Sequence, residues 1–273
     1  MRRIIIIGAS GFVGQALLAA LSKSQFDVVG VSRTHKKGLA KVDSYDDCPA
    51  GDLLVHLAEE SDIHQANLLG DSYLNKSHQI TQRLCDKFKG NVIYCSSAAV
   101  YGDKNHQASK ESDVVKGANI YSQLKLLNEQ TVLERGGCVL RLSNLYGEGM
   151  SPNNVLSDIL SQVGQVGPLR LRSTDPIRDF LYIDDLVRLI SIIAERFQSG
   201  VYNVGAGEGI SIRALAETVL SVYGEANREI ESMNTGSQES VNFLDTSKVL
   251  EMFDWKPKHS LKDNLNILKQ GSI

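Results

Sequence analysis

The run Ile4 to Ile7 is β-branched throughout and stops at Gly8, which is the pattern of a short strand buried on both faces of a parallel sheet. Leu17, Leu18 and Leu21 recur at helical spacing and predict a helix from Gly11 to Ser24; Asp27 to Val31 then reads as a second buried strand. Together they make one βαβ unit. Further apolar runs at Leu53 to Leu57, Val92 to Cys95 and Cys138 to Leu142 alternate with helically patterned segments at Tyr73 to Phe88 and Ser122 to Glu134. This alternation predicts an α/β fold with a Rossmann-type, doubly wound parallel sheet, whose ligands lie beyond the carboxyl ends of the strands.

After Tyr146 the rhythm changes. Gly147 to Asn154 is rich in Gly, Pro, Asn and Ser, and Asp175-Pro176 marks another turn. Phe180 to Ile193 and Gly200 to Val204 resemble a return to the sheet, Ser211 to Tyr223 is helical, and Glu231 to Asn242 reads as a surface loop or strand pair. The expected division puts residues 1–146 and 177–204 in the sheet domain, and residues 147–176 and 205–273 in a smaller, discontinuous substrate-binding lobe. The stretch from Thr34 to Asp52 is short, so a third strand and its helix should be abbreviated there.

At 273 residues, 42% of them hydrophobic, the chain is long enough for one large core with an annexe. Its net charge of −3 is spread along the sequence. No basic stripe points to nucleic acid or to an anionic membrane, so any bound anion must be captured locally. Cys48, Cys85, Cys95 and Cys138 are widely separated and lack metal-ligand spacing, which suits buried reduced thiols in a cytoplasmic protein and implies no metal. Ile4 to Ser22 carries no charge and follows Arg2 and Arg3, so a signal peptide or membrane helix has to be weighed. Three glycines within it, and apolar density split into two separate runs, argue against both.

Those glycines carry the first chemistry. Gly8-Ala9-Ser10-Gly11-Phe12-Val13-Gly14 lies where a buried strand feeds a helix. One glycine serves the tight turn, one lets backbone approach a pyrophosphate, and one lets helix sit closely on strand. Exposed N–H groups and the helix dipole supply the positive end, so the sheet domain should bind a dinucleotide. Many such sites place an acid at the end of the second strand for the ribose hydroxyls. This strand ends Gly30-Val31-Ser32-Arg33-Thr34, with no acid. Arg33, helped by Ser32 and Lys36, could instead hold a 2′-phosphate, which favours NADP over NAD; the alternatives for Arg33 are stacking on adenine or pointing to water.

Tyr121 and Lys125 lie one turn apart on one helix face. A phenol is a poor base at neutral pH, but a fixed ammonium and a cationic nicotinamide ring each favour its phenolate. Tyr121 could then exchange a proton with an alcohol oxygen while the cofactor exchanges hydride with the carbon. Ser96 and Ser97 follow the Val92 to Cys95 strand, so a hydroxyl sits beyond the sheet edge, either holding the substrate oxygen or capping the next turn.

With these residues the sequence resembles an extended short-chain dehydrogenase/reductase of the NAD-dependent epimerase/dehydratase family of nucleotide-sugar enzymes. Besides the glycine turn, Val55-His56-Leu57-Ala58 resembles the family's cofactor-contacting strand end, and Cys95-Ser96-Ser97-Ala98-Ala99-Val100-Tyr101-Gly102 its catalytic hydroxyl segment. Leu140 to Gly147, Arg178 to Asp185 and Val201 to Gly207 resemble later family segments. The resemblance implies Ser97, Tyr121 and Lys125 as catalytic. It implies Gly8, Ser10, Gly11, Phe12, Val13, Gly14, Ser32, Arg33, Leu57 and Ala58, with Tyr121 and Lys125, as cofactor-binding. Asn144 would meet the substrate together with Ser97, and Arg178 would face the nucleotide diphosphate.

Departures are informative. The family's Asn four residues before Thr81 is replaced by Ser77, with Asn75 nearby, and Asp43 and Ser44 remain as adenine candidates. Dehydratases carry an Asp-Glu pair after the catalytic hydroxyl, because eliminating water needs a further acid and base. Ala98 and Ala99 stand there, which argues against a 4,6-dehydratase. What remains is a C4 enzyme acting on a nucleotide-diphosphate sugar, either an NADPH-dependent ketoreductase or an epimerase. The alternative is a dinucleotide-binding sensor or scaffold without chemistry. The resemblance also implies a homodimer joined by helices of the sheet domain, including the one bearing Tyr121.

Overall fold

A computed structural model of the chain describes residues 1–234 and 240–271. The first half alternates strand and helix: β1 Arg3–Ile7, α1 Phe12–Leu21, β2 Asp27–Ser32, β3 Ala40–Lys41, β4 Leu53–His56, α2 Ile63–Lys87, β5 Val92–Ser97, α3 Ile120–Glu134 and β6 Cys138–Leu142. The second half follows as β7 Asn144–Tyr146, α4 Val155–Ser161, β8 Leu169–Leu171, β9 Ile177–Arg178, β10 Phe180–Tyr182, α5 Ile183–Glu195, β11 Gly200–Val204, β12 Ile210–Ser211, α6 Ile212–Tyr223, β13 Ile230–Ser232, β14 Val241–Asn242, α7 Ser247–Phe253 and α8 Leu261–Gly271.

Seven strands form one parallel sheet in the order β11-β6-β5-β4-β1-β2-β3. The four isoleucines of β1 are fully buried because apolar layers cover both faces: Ile4 and Ile6 join one, Ile5 and Ile7 the other. The chain leaves β1 between β2 and β4, with Ile7 in register with Val31 on one side and His56 on the other. This reversal of strand order opens a crevice at the carboxyl ends. Gly8, Ser32 and Leu57 therefore sit together.

The abbreviated third unit is as expected: β3 has two residues, and a single 3₁₀ turn, Tyr45–Asp47, replaces its helix. Two expectations need correction. Phe180 begins β10, which pairs with β7 as a separate parallel two-stranded sheet rather than rejoining the large one. The ends of the Glu231 to Asn242 stretch are strands that do not pair with each other; β13 pairs with β8 and β14 with β9, while residues 235–239 lie outside the described residues. A second apolar core gathers Leu156, Ile159, Leu169, Leu171, Leu215 and Leu265 around β10 and α6. The segment after β14 divides between the two cores. Leu265 of α8 joins the second, whereas Val249, Phe253 and Trp255 pack into the core of the large sheet, Trp255 donating its indole N–H to the Asp185 carbonyl at 3.1 Å.

Candidate functional site

The glycine turn has the geometry its sequence demands. Gly8 adopts φ +77°, and a Cβ there would lie 2.6 Å from the Leu57 carbonyl oxygen. A Cβ on Gly14 would lie 2.4 Å from the Gly8 carbonyl oxygen, so α1 is seated on β1 closer than any side chain permits. Gly11 differs: its Cβ would meet only the Gly8 oxygen, at 3.4 Å, and as N-cap of α1 it leaves the first turn without a side-chain cap or an acid. Phe12 and Val13 open the helix, and no side chain among the described residues caps its first N–H groups. A dinucleotide pyrophosphate fits this open, electropositive turn.

At the end of β2 a polar cluster adjoins it. Ser32 Oγ donates to Ser10 Oγ at 3.1 Å and receives the Thr34 N–H at 3.1 Å, while Lys36 Nζ donates to the Ser10 carbonyl at 3.3 Å. The Arg33 guanidinium stacks over the ring of Tyr45, 5.2 Å from its centroid. Asp43 is exposed, and Ser44 hydrogen-bonds the Asp46 carboxylate.

At the next strand ends the two serines separate. Ser96 is buried and donates to the Glu129 carboxylate, whereas Ser97, half-buried at the rim, accepts the Ala99 N–H at 3.2 Å and caps the 3₁₀ turn Ala98–Tyr101. Capping uses one lone pair and leaves the Ser97 proton available. Asn119 and Ser122 form a capping box at the start of α3, which fixes Tyr121 in the first turn. Tyr121 is buried, its N–H donates to Asn67 Oδ1 at 3.4 Å, and its phenol oxygen has no hydrogen-bond partner among the described residues. One turn on, the Lys125 ammonium lies 5.6 Å from the Tyr121 ring centroid and donates to the Cys95 carbonyl at 2.9 Å.

A residue outside the sequence motifs completes this centre. Glu59, just after Ala58, has its side chain enclosed and pairs with Lys125 Nζ at 2.7 Å. Its other partners are the Tyr94 hydroxyl, at 3.0 and 2.8 Å to its two oxygens, and Asn128 Nδ2 at 2.7 Å. Burial alone would lower the lysine, but the carboxylate beside it holds the ammonium protonated well above its usual range. Burial would raise Glu59, and Lys125 brings it below the usual carboxylate value. The signal was present in sequence as an acid at the carboxyl edge of a central strand, where a solvated loop residue is the ordinary reading.

Beneath it, His56 is fully buried with Nε2 3.1 Å from Thr81 Oγ1, and desolvation lowers its pKa from 6.5 to about 4. Between those values the unfolded chain binds a proton that the folded chain refuses, so stability is lost as pH falls through this window. Acidification from pH 7 to pH 4 is expected to cost about 3 kcal/mol from this group, and denaturant titration of His56→Gln should show that part of the slope gone.

Asn144 is exposed and donates to the Asp179 carbonyl at 3.0 Å. Arg178 is half-buried; its Nη1 donates to the Ser240 carbonyl at 2.9 Å and its Nη2 to Ser240 Oγ at 2.6 Å. Asp179 accepts the Ala206 and Gly207 N–H groups at 2.7 and 3.1 Å. That motif thus ties β9 and β10 to the loop after β11.

Residues 4–205 match the NAD-dependent epimerase/dehydratase family. The chain belongs to it. Over 98% of this chain and 96% of the relative, it is 27% identical to the GDP-6-deoxy-D-mannose reductase of Pseudomonas aeruginosa. The fold is shared with UDP-glucose 4-epimerase from Thermotoga maritima, solved with UDP-glucose (TM-score 0.86, 19% identity, covering 98% and 97% of the two chains). It is shared equally with RMD from Pseudomonas aeruginosa complexed with NADPH (TM-score 0.84, 24% identity, 99% and 98%). No helix among the described residues is long and apolar enough to cross a membrane.

Proposed function

We propose that this family member reduces the C4 keto group of a nucleotide-diphosphate sugar at the expense of NADPH. The observation that carries the reading is Lys125 beside Tyr121 in the first turn of α3, with Ser97 at the neighbouring strand end and the open glycine turn across the same sheet edge. The dinucleotide, when bound, supplies hydride exchange at the sugar carbon. Ser97 holds the substrate oxygen through its unused proton. Tyr121 gives that oxygen a proton, with the Lys125 ammonium one turn along beside its ring. Asn144 and Arg178, at the border with the substrate lobe, meet the substrate, Arg178 toward the diphosphate.

The cluster after β2 supports NADP rather than NAD: Ser10, Ser32, Arg33, Thr34 and Lys36 supply hydroxyl and cationic donors, and no acid occupies the strand end. Arg33→Ala is expected to weaken NADPH about tenfold or more and to leave NADH nearly unchanged, since a charge-assisted bond to phosphate is lost in one case only. Fluorescence titration with both dinucleotides reads this directly. Equal losses for both would make Arg33 a stacking residue alone.

The reaction is tested by following nicotinamide absorbance with 4-keto-6-deoxy nucleotide sugars. Stoichiometric loss of NADPH supports reduction, whereas an isomerised sugar without loss makes the protein a 4-epimerase. We further propose a cytoplasmic homodimer. Four unpaired buried cysteines support the compartment. Exposed Ile63, Leu68 and Leu69 on α2, with Leu127 on the helix packed against it, support the interface. Residues 1–146 with 177–204 remain the proposed dinucleotide-binding domain, and the rest the substrate lobe, with α7 anchored back on the sheet.

A further inference from the structure

The proposed reaction sets Lys125 beside Tyr121, and the structure places the lysine's ammonium against an anion of its own. Lys125 and Glu59 are almost wholly enclosed, their side chains 9% and 4% exposed, with 2.7 Å between Nζ and Oε2. Glu59 is held by the Tyr94 hydroxyl and Asn128, so it cannot swing away without stranding both. We propose that Glu59 is a positioning residue whose carboxylate fixes the Lys125 ammonium and cancels its charge, so that the site does not discriminate strongly between oxidised and reduced dinucleotide. This rests on the proposed dinucleotide-binding function of the same site.

The donor inventory comes first. An ammonium has three N–H bonds. One goes to the Cys95 carbonyl and one to Glu59, which leaves a single donor directed by two fixed partners rather than by a flexible four-carbon stem. The net charge comes second. His56, on the strand before Glu59, is neutral at physiological pH because burial lowers it to about 4. Cys95, on β5, is pushed up to about 12 and carries no charge, and burial raises Tyr94 and Tyr73 as well. Glu129, one turn beyond Lys125 on α3, is engaged by Arg141 at 2.7 Å. Among the described residues, Glu59 is therefore the one carboxylate paired with Lys125.

An oxidised nicotinamide ring is cationic and a reduced one is neutral. A net positive neighbour repels the first and not the second, whereas a neutral ion pair treats them nearly alike. A site that must both take up NADPH and release NADP⁺ gains from that balance.

The test uses binding rather than turnover. Affinities of the full chain for NADPH and NADP⁺ are measured by fluorescence titration and competition, for the unaltered protein and for Glu59→Gln. Neutralising Glu59 is expected to raise the ratio of the NADP⁺ to the NADPH dissociation constant about tenfold or more, because one uncompensated buried charge then acts on the cationic form of the ring at an effective dielectric near 20. Glu59→Asp, which keeps the charge, should hold the ratio near that of the unaltered protein. If Glu59→Gln does not fold, Glu59→Met supplies the same neutralisation with apolar packing.

A folded neutral variant with an unchanged or lowered ratio, or one that binds neither dinucleotide, overturns the proposal and leaves Glu59 a purely structural group. If the unaltered protein binds neither dinucleotide, the dinucleotide reading itself fails and takes this inference with it, a result distinguishable from the first two.

Discussion

Replacing Tyr121 by Phe is expected to lower turnover by about 10²- to 10⁴-fold, the range for a positioned proton-transfer group, with dinucleotide affinity and thermal midpoint nearly unchanged. The separation follows from the local geometry. The ring is buried against Lys125, and Phe keeps that packing. The hydroxyl has no partner among the described residues, so its removal strands no donor or acceptor elsewhere. The capping box of Asn119 and Ser122, which sets the first turn of α3, is untouched. Turnover is read from nicotinamide absorbance with a 4-keto-6-deoxy nucleotide sugar, and affinity from fluorescence titration in the same buffer. Full activity in the variant would move proton transfer to another group. Lost affinity would instead make Tyr121 a cofactor-holding residue, with Ser97 the next candidate for the proton.

The strands of the large sheet were legible because burial on both faces forces unbroken apolar runs, and β6 spans the very residues its pattern marked, Cys138–Leu142. The glycine turn was legible because steric demand leaves no substitute at Gly8 and Gly14. Short strands were not. The pairs β9, β12 and β14 have two residues each, too few for any period to show, and their partners come from distant segments. The second helix began ten residues earlier than its pattern suggested. Its opening turns expose Leu68 and Leu69, and Gly70 breaks the helical path at φ +64°, so two helical phases run together without a common apolar face. Glu59 was hidden for another reason. An acid in a loop is ordinarily solvated, and only the fold reveals that Tyr94, Asn128 and Lys125 converge on it from β5 and α3. Periodicity reports which face is buried; it is silent on polar groups that are buried because they satisfy each other.

The same logic predicts the largest loss of stability, at Glu129. Its carboxylate meets Arg141 of β6, with Nη2 at 2.7 Å and Nε at 3.1 Å from each oxygen, and it also accepts from Ser96 of β5. Arg141 continues the network, donating to the Tyr101 hydroxyl at 2.8 Å; that hydroxyl donates in turn to Asn203 Oδ1 of β11 at 2.7 Å. Three adjacent strands, α3 and the turn after Ser97 are thereby joined through one buried pair, whose side chains are 4% and 7% exposed. Glu129→Ala leaves the guanidinium enclosed without its counter-ion, and removal of one partner from such a pair typically costs about 3–5 kcal/mol. For a chain of this size that corresponds to a fall of roughly 10 °C in thermal midpoint. Replacing both members with apolar residues, Glu129→Leu with Arg141→Met, should recover most of the loss, because the penalty lies in the stranded charge rather than in the missing attraction. Calorimetry of the single and double variants decides between these accounts. A double variant no more stable than the single would mean that the Tyr101 and Asn203 bonds, not the ion pair, hold α3 against the sheet. In that case the register of Tyr121 and Lys125 over the strand ends would depend on β11 at the far edge of the sheet.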